Sequence, residues 1–218
     1  MSLLGQFILG AAIIATSQEA FIEQEFHAGR DLRIGYVKAP PVVAADVVEF
    51  WRQAGPSLWF AKDADFDRRF RAAFLDAHEA AARGDLDHWM TTPEGALALL
   101  LLLDQFPRNA FRGTPRMYAT DATARRIAAA AVDAGHDQAM PPELRKFFYL
   151  PFAHSEDLAD QDRSVALCRP LGSPDAANSQ RHRDIVKRFG RFPHRNPILG
   201  RNMTREEQEF LDQGGYAG

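Results

Sequence analysis

The segment from Phe189 to Arg201 carries the densest group of side chains that could do chemistry. Its sequence, FGRFPHRNPILGR, contains three Arg, one His and one Asn. Planar guanidinium groups suit bidentate recognition of carboxylates and phosphates. Proline and glycine give the segment an irregular backbone, which can hold several donors in one place. We therefore predict that Arg191, His194, Arg195 and Asn196 converge on an anion. The alternative is that they join the last helices through hydrogen bonds to backbone carbonyls.

A second polar group follows the apolar stretch 96–103, whose sequence is ALALLLLL. Asp104 and Gln105 come at its end, where a charge is costly to bury unless it is paired. Arg108 follows Asp104 by one helical turn, the spacing at which two side chains meet. The group is either an Asp–Arg pair that closes a helix end, or the floor of a ligand pocket. In a pocket, Asp104 would orient Arg108, and Gln105 and Asn109 would add further polar contacts.

A possible acid/base group follows the sequence YLPFA at 149–153. His154 and Glu156 lie there, and His194 comes from the polar segment described first. These residue types can form an acid/base pair or ligate a metal. Any chemical role would fall to His154 or His194, with Glu156 as the partner. The alternative for His154 is a purely structural histidine.

Several classes of site are excluded or disfavoured by the motifs. No H-E-x-x-H pair is present, and a single cysteine, Cys168, excludes a thiolate metal cage, so we predict no metal. Neither G-x-x-x-x-G-K nor G-x-G-x-x-G occurs, and we predict no cofactor. A serine hydrolase is poorly supported because G-x-S-x-G is missing. The one cysteine forbids an intrachain disulfide, and we predict a cytoplasmic location.

The overall composition is that of a globular protein. Of 218 residues, 46% are hydrophobic and 25% charged, a typical balance for a single folded domain. The net charge of −3 gives no case for nucleic-acid binding. No apolar run is long enough to span a membrane. We predict small-molecule or peptide binding, with a protein partner as a further possibility.

Helix signals recur after residue 40. Apolar side chains repeat at helical spacing from Phe66 to Ala81, and Gly84 ends that pattern. Thr92-Pro93-Glu94 combines an N-cap, a first-turn proline and an acid. Residues 204–207, with the sequence TREE, form a capping box. Because the stretch 96–103 is apolar on every side, its helix is predicted to lie centrally. These patterns predict an all-α fold of antiparallel helix pairs in a single domain over residues 40–218.

The first 39 residues differ from the rest. Their apolar stretch faintly resembles a secretion signal, but no Lys or Arg precedes it. We interpret residues 1–39 as an N-terminal extension, and three alternatives stay open: a cleaved signal, a segment that docks on the body, and a start codon placed too early.

The motifs together resemble an uncharacterised, mainly bacterial family, domain-of-unknown-function family 924. The resemblance is carried by VEFW at 48–51, LDQFPRN at 103–109, YLPFAHSE at 149–156, FGRFPHRN at 189–196 and LGR at 199–201. It covers roughly residues 42–213. It implies stacked antiparallel α-hairpins, as in tetratricopeptide-like (TPR-like) arrays, and it implies no activity.

Three functional hypotheses follow. The first is a TPR-like protein that binds a small anionic molecule or an acidic peptide end in a composite polar pocket with Arg anchors. The second is a protein-interaction scaffold that works through a helical groove, and such modules are common on this fold. The third is a metal-assisted hydrolase that uses His154 or His194.

Overall fold

The computed structural model describes residues 41–218, which form an all-α unit with no strand among them. The prediction of an all-α fold is confirmed. The expectations for residues 1–39 lie outside the described residues. The helices are α1 (Ala44–Ala54), α2 (Pro56–Trp59), α3 (Ala64–Arg83), α4 (Pro93–Leu100), α5 (Phe106–Ala110), α6 (Asp121–Asp133), α7 (Pro142–Ala153), α8 (Leu158–Cys168), α9 (Asp175–Phe189) and α10 (Arg205–Asp212). Short 3₁₀ turns occupy Asp87–Thr91, Pro115–Tyr118, Arg169–Leu171 and Pro193–Arg195.

The helix ends follow the local sequence signals. The Asp63 side chain accepts from the Phe66 amide at 2.7 Å and starts α3. Thr92 caps α4 in the same way, through the Gly95 amide at 3.1 Å. The predicted capping box at the start of α10 is present. Gly84 ends α3 with a φ of 85°, a left-handed conformation that glycine adopts without steric cost.

Helix α4 lies at the centre of the core. Its residues from Gly95 to Leu100 are buried, and it packs against α1, α6 and α7. Its central position explains why its sequence is apolar on every side. On the α1 side, Trp51 is fully buried and packs among the rings of Phe66, Phe70 and Phe147.

Helices α6, α7 and α8 each pack against the next helix along the chain. A TPR-like stacking of these helices stays a prediction. No helix within residues 41–218 has the length and apolar character needed to cross a membrane.

Candidate functional site

The site begins at an irregular helical turn between α4 and α5. Residues Leu101–Gln105 form a π-helical turn, in which the Phe106 amide bonds to the Leu101 carbonyl instead of the Leu102 carbonyl. The Leu102 carbonyl accepts a hydrogen bond from Nδ1 of His78 at 2.9 Å instead. The next carbonyl, of Leu103, also lacks its usual donor because residue 107 is proline.

The Leu103 carbonyl accepts a hydrogen bond from the Thr120 hydroxyl at 2.6 Å. The Leu102 and Leu103 carbonyls, which lack their usual helical donors, therefore both have hydrogen-bond partners inside the protein, as buried backbone groups require. The turn adds one residue to the helix and changes the direction of the side chains that follow it. Such π-helical turns are often found at functional sites.

Asp104 is the buried centre of the polar network, and it is only 1% exposed. Its Oδ1 accepts from Nδ1 of His154 at 2.8 Å and lies 3.3 Å from Nη1 of Arg108. Its Oδ2 accepts from the Gln105 amide at 2.6 Å. Burial alone would raise the pKa of Asp104, but Arg108 and His154 outweigh that effect and hold the pKa at about 2. The carboxylate is therefore ionised at neutral pH.

Arg108 connects Asp104 to the start of α6. Its guanidinium bonds to both carboxylate oxygens of Asp121, at 2.9 and 3.1 Å, and Nη1 also donates to the Asp104 carbonyl at 2.6 Å. Arg112, one turn further on, binds Asp67 through two bonds of 3.0 Å. The charges of these two arginines are thus neutralised by carboxylates behind them.

A cavity of about 190 Å³ opens above this network. Four cationic side chains line it, and no Asp or Glu among residues 41–218 does. Three histidines and five aromatic residues make up most of the remaining wall. The lining residues used below are Trp59, Phe60, Lys62, Gln105, Arg108, Asn109, Arg112, Tyr118, His154, His182, Phe192, His194, Arg195 and Tyr216.

Arg195 is less well compensated than Arg108, the other cation of the cavity that is largely buried. The residue is 7% exposed, and its guanidinium stacks over Tyr118 at 4.7 Å and Phe192 at 4.6 Å from the ring centroids. Nε is buried with no hydrogen-bond partner among the described residues. The nearest carboxylate oxygen, Oδ2 of Asp121, is 3.7 Å away and already bound to Arg108. Burial and the nearby Arg108 lower the pKa of Arg195.

The three cavity histidines are neutral at pH 7. Burial, together with the nearby His154 and Arg195, lowers the pKa of His182 to about 3. Burial and Arg195 lower the pKa of His194 to about 4. The pKa of His154 is lowered by burial and by Arg108, although Asp104 acts in the opposite direction. Tyr216 packs against His182 and His194, with ring centroids 4.7 and 5.2 Å apart.

The comparisons with known proteins agree with this fold. The model of a family described as a bacterial protein of unknown function (DUF924) matches residues 47–215. The chain belongs to this family. A solved structure of a protein of unknown function from Agrobacterium tumefaciens is 58% identical, with a TM-score of 0.78, and the match covers 78% of this chain and 97% of that one. No curated protein matches.

In this DUF924 chain, most of the residues predicted for the site come together at the cavity. Gln105 and Asn109 line it from the α4–α5 side, and Arg108 lies between them. His154, at the end of α7, and the pair His194-Arg195 close the opposite side. Asp104 lies directly behind His154 and Arg108. These residues are far apart in sequence, so packing alone brings them together.

Besides Asp104, three predicted residues do not line the cavity, because each is engaged elsewhere. Arg191 binds both carboxylate oxygens of Glu207, at 2.6 and 2.8 Å. Asn196 is fully buried, and its amide contacts the Met203 sulfur at 3.4 Å.

Glu156 is likewise bound away from the cavity, to Arg201 at 2.7 and 2.9 Å and to the Phe192 amide at 2.8 Å. The carboxylate that contacts His154 is Asp104, in place of the predicted Glu156. The reason is geometric, since the π-helical turn puts Asp104 next to the end of α7.

Other residues of the site were not predicted. Asp121 lies in the first turn of α6 and binds Arg108. His182 and Tyr216 carry no motif, and they meet because the chain after α10 returns to α9. Tyr118 lies in the 3₁₀ turn Pro115–Tyr118, and no sequence motif marked it as a site residue. Within residues 41–218 no group of three His, Cys, Asp or Glu side chains is arranged to hold a metal ion.

Proposed function

We propose that this protein binds a small monoanion with an apolar or aromatic body in the cavity above Asp104. Arg195 anchors the anionic group, and the aromatic wall contacts the rest of the ligand. The observation that carries the proposal is Arg195, which lines the cavity, has a buried Nε with no hydrogen-bond partner among the described residues, and lies 3.7 Å from the Asp121 carboxylate that Arg108 already binds. A buried charge without a partner is costly, and a bound anion would supply that partner.

The charge of the lining supports a monoanion. The cationic side chains are the exposed Lys62 together with Arg108, Arg112 and Arg195, and the carboxylates paired with the three arginines are Asp67, Asp104 and Asp121. Four positive and three negative charges leave one positive charge, since the histidines are neutral. A single carboxylate balances that charge, whereas a phosphate monoester brings nearly two negative charges.

The size and polarity of the cavity support a small ligand with an apolar part. An apolar cavity of about 150 Å³ holds a benzene molecule, and the volume here is about 190 Å³. One aromatic ring with a carboxylate therefore matches the space. Trp59, Tyr118 and Phe192 supply ring faces or edges at the wall. Because the cavity is this small, it would admit only the last residue of an acidic peptide end.

The test is a binding measurement on the purified protein with benzoate, inorganic phosphate and Mg²⁺ as probes. Benzoate is expected to raise the midpoint of thermal unfolding in a saturable way, because a ligand that binds only the folded state stabilises it. Isothermal titration calorimetry gives the affinity. A shift with phosphate alone would contradict the monoanion proposal, and no shift with any probe would contradict the anion site itself.

The matched variants are Arg195→Gln and Arg191→Gln. Both remove one guanidinium from the same segment, but only Arg195 lines the cavity, while Arg191 is bound to Glu207 outside it. We expect Arg195→Gln to weaken benzoate binding by about tenfold or more, as loss of a charged hydrogen bond does. Arg191→Gln should leave the affinity unchanged. Equal loss in both variants would argue against a specific anchor at residue 195.

The interaction-scaffold hypothesis gains no specific support from the described surface. The exposed large apolar residues there are Val43, Phe60, Leu158 and Leu199, which come from separate parts of the chain. Phe60 lines the cavity and is 60% exposed, so it belongs to the mouth of the proposed ligand site.

A further inference from the structure

The two ring nitrogens of His154 have different environments. Nδ1 lies 2.8 Å from Oδ1 of Asp104. An ionised carboxylate can only accept hydrogen bonds, so Nδ1 carries the proton. The ring lines the cavity, and no described residue forms a hydrogen bond with Nε2. The lone pair of the neutral ring therefore lies on Nε2, the nitrogen that is left for a ligand or water.

Asp104 is held so that it can keep the ring in this tautomer. Gln105 donates to its second oxygen at 2.6 Å, and Arg108 lies 3.3 Å from the oxygen that binds His154. At 1% exposure the carboxylate is shielded from water. A buried carboxylate that orients a neutral imidazole is the arrangement by which histidine acts as a general base in many unrelated enzymes.

No serine, threonine or cysteine of the described residues is available to His154 as a nucleophile. Tyr118 and Tyr216 line the cavity, but burial raises the pKa of both hydroxyls, so they stay protonated. The cavity lining within the described residues contains no Ser, Thr or Cys. Cys168 is buried outside the lining, and burial raises the pKa of its thiol. Ser155 follows His154 in sequence, but its hydroxyl donates to Asp160 at 2.7 Å. A base at His154 is therefore placed to act on water.

We propose that Asp104 and His154 form a general-base pair that activates water for the hydrolysis of a small ester carrying a carboxylate. The proposal rests on the proposed function, because Arg195 holds the carboxylate of the substrate. Arg108 binds the same Asp104 oxygen as His154. Arg108 is itself bound to Asp121, and it helps to keep the Asp104 carboxylate ionised beside His154.

The reaction balances with water as the second reactant. Nε2 of His154 removes a proton from water while the water oxygen bonds to the ester carbonyl carbon, and the carbonyl electrons move onto oxygen. When the tetrahedral intermediate collapses, the bond to the alcohol oxygen breaks. That oxygen takes the proton from Nε2, so the products are an acid and an alcohol and the histidine is neutral again.

The experiment follows hydrolysis of 4-acetoxybenzoate by absorbance, with phenyl acetate as the probe that lacks the carboxylate. We expect turnover of 4-acetoxybenzoate above the buffer rate, inhibition by benzoate, and much slower turnover of phenyl acetate. His154→Gln should lower the rate by on the order of 10²–10⁴-fold while benzoate still binds. The control is His88→Gln, which changes an exposed histidine outside the cavity and should keep the full rate.

The outcomes separate this inference from the proposed function. If benzoate fails to bind, the anion site is wrong. If benzoate binds but 4-acetoxybenzoate is not hydrolysed, or His154→Gln hydrolyses it as fast as the unchanged protein, the general-base proposal is wrong while the binding site stands. Turnover of both esters at equal rates would also overturn the general-base proposal, because Arg195 would then not distinguish the ester with a carboxylate from the ester without one.

Asp104 is a positioning residue, and its test includes a direct readout of the histidine tautomer. The ¹⁵N chemical shifts of His154 at pH 7 should show a neutral ring with the proton on Nδ1. Asp104→Asn presents an amide that can donate to Nδ1, so the proton should move to Nε2 and hydrolysis should fall by about 10²-fold or more. An Nε2–H tautomer in the unchanged protein would overturn the assignment, whether or not the Asn variant folds.

Discussion

Arg191 and Arg195 are four residues apart, yet they lie in two regions with opposite electrostatic character. The first region, here the closed cluster, consists of Glu156, Arg191, Arg201 and Glu207, and each of its charges meets an opposite charge through two hydrogen bonds or salt-bridge contacts. The second, here the open cluster, consists of His182, His194 and Arg195, each of which has a buried nitrogen with no partner and makes no side-chain hydrogen bond to a carboxylate among the described residues. Nε of Arg201 is also buried without a partner among these residues, but the two terminal nitrogens of Arg201 bind Glu156.

The difference shows how to separate structural charges from functional ones in this fold. A charge that is fully paired contributes to stability, and its loss leaves the partner unsatisfied. A buried polar atom without a partner costs stability, and our proposal is that a ligand supplies the missing partner of Arg195. The four predictions below test this distinction from the largest expected effect on the free energy of unfolding to the smallest.

Glu156→Ala should have the largest effect. It removes both bonds to Arg201 and the acceptor of the Phe192 amide. Loss of one partner from a largely buried, hydrogen-bonded pair costs about 3 kcal/mol. Urea unfolding followed by circular dichroism measures the change. A loss below about 1 kcal/mol would mean that the charge pairs of the closed cluster contribute no more to stability than ordinary exposed ion pairs do.

The open cluster should make stability depend on pH. The pKa of His182 is about 3 in the folded protein and 6.5 without its environment. The unfolded chain therefore binds a proton between these values and the folded protein does not, so stability falls as pH drops below 6.5. At pH 5 the loss from this residue is about 2 kcal/mol.

Urea titrations at pH 7 and pH 5 measure that dependence, and the comparison variant is His182→Gln. The groups that face His182 are His154, His194, Arg195 and Tyr216. The variant should lose less stability between the two pH values than the unchanged protein. An identical pH dependence in both proteins would show that His182 does not titrate in this way.

Thr120→Val tests the irregular turn that brings Asp104 to His154. Valine keeps the shape of threonine but cannot donate to the Leu103 carbonyl, whose usual donor is missing at Pro107. An unsatisfied buried carbonyl costs about 1–2 kcal/mol. The same urea experiment measures it. No loss would mean that water replaces the threonine hydroxyl.

Arg195→Met should have the smallest effect on stability, and the sign is expected to be neutral or favourable. Replacing a poorly compensated buried charge by an apolar side chain of similar length removes a desolvation cost. The unfolding midpoint should stay the same or rise slightly, while benzoate binding is lost. A decrease of about 3 kcal/mol or more in the free energy of unfolding would show that Arg195 is a structural charge like those of the closed cluster, and it would remove the basis for the anion site.

Much of the fold was predictable because its signals are local. The N-caps at Asp63 and Thr92, and the capping box that begins at Thr204, satisfy amides within their own helix ends. The burial of α4 was predictable because a helix that is apolar on every side has no face suited to water. Asp104 was predictable as a buried charge in need of a partner, since it directly follows that helix.

The partners in the site were far less predictable. Glu156 is two residues from His154, but it binds Arg201, 45 residues further along the chain. Asp104 is 50 residues before His154 and is in contact with it. The π-helical turn adds a further shift that no spacing rule anticipates, because it depends on Pro107 together with the side chains of His78 and Thr120.

The sequence by itself determined the all-α class and several helix ends, because capping and helical periodicity act over a few residues, and it named some of the polar residues that line the cavity. Only the tertiary structure decided which charges are neutralised and which remain open. A carboxylate pairs with the cation that packing brings within hydrogen-bond distance, and that cation is often tens of residues away. Arg191 and Arg195 have the same side chain, but only Arg191 lies within reach of a carboxylate free to neutralise it.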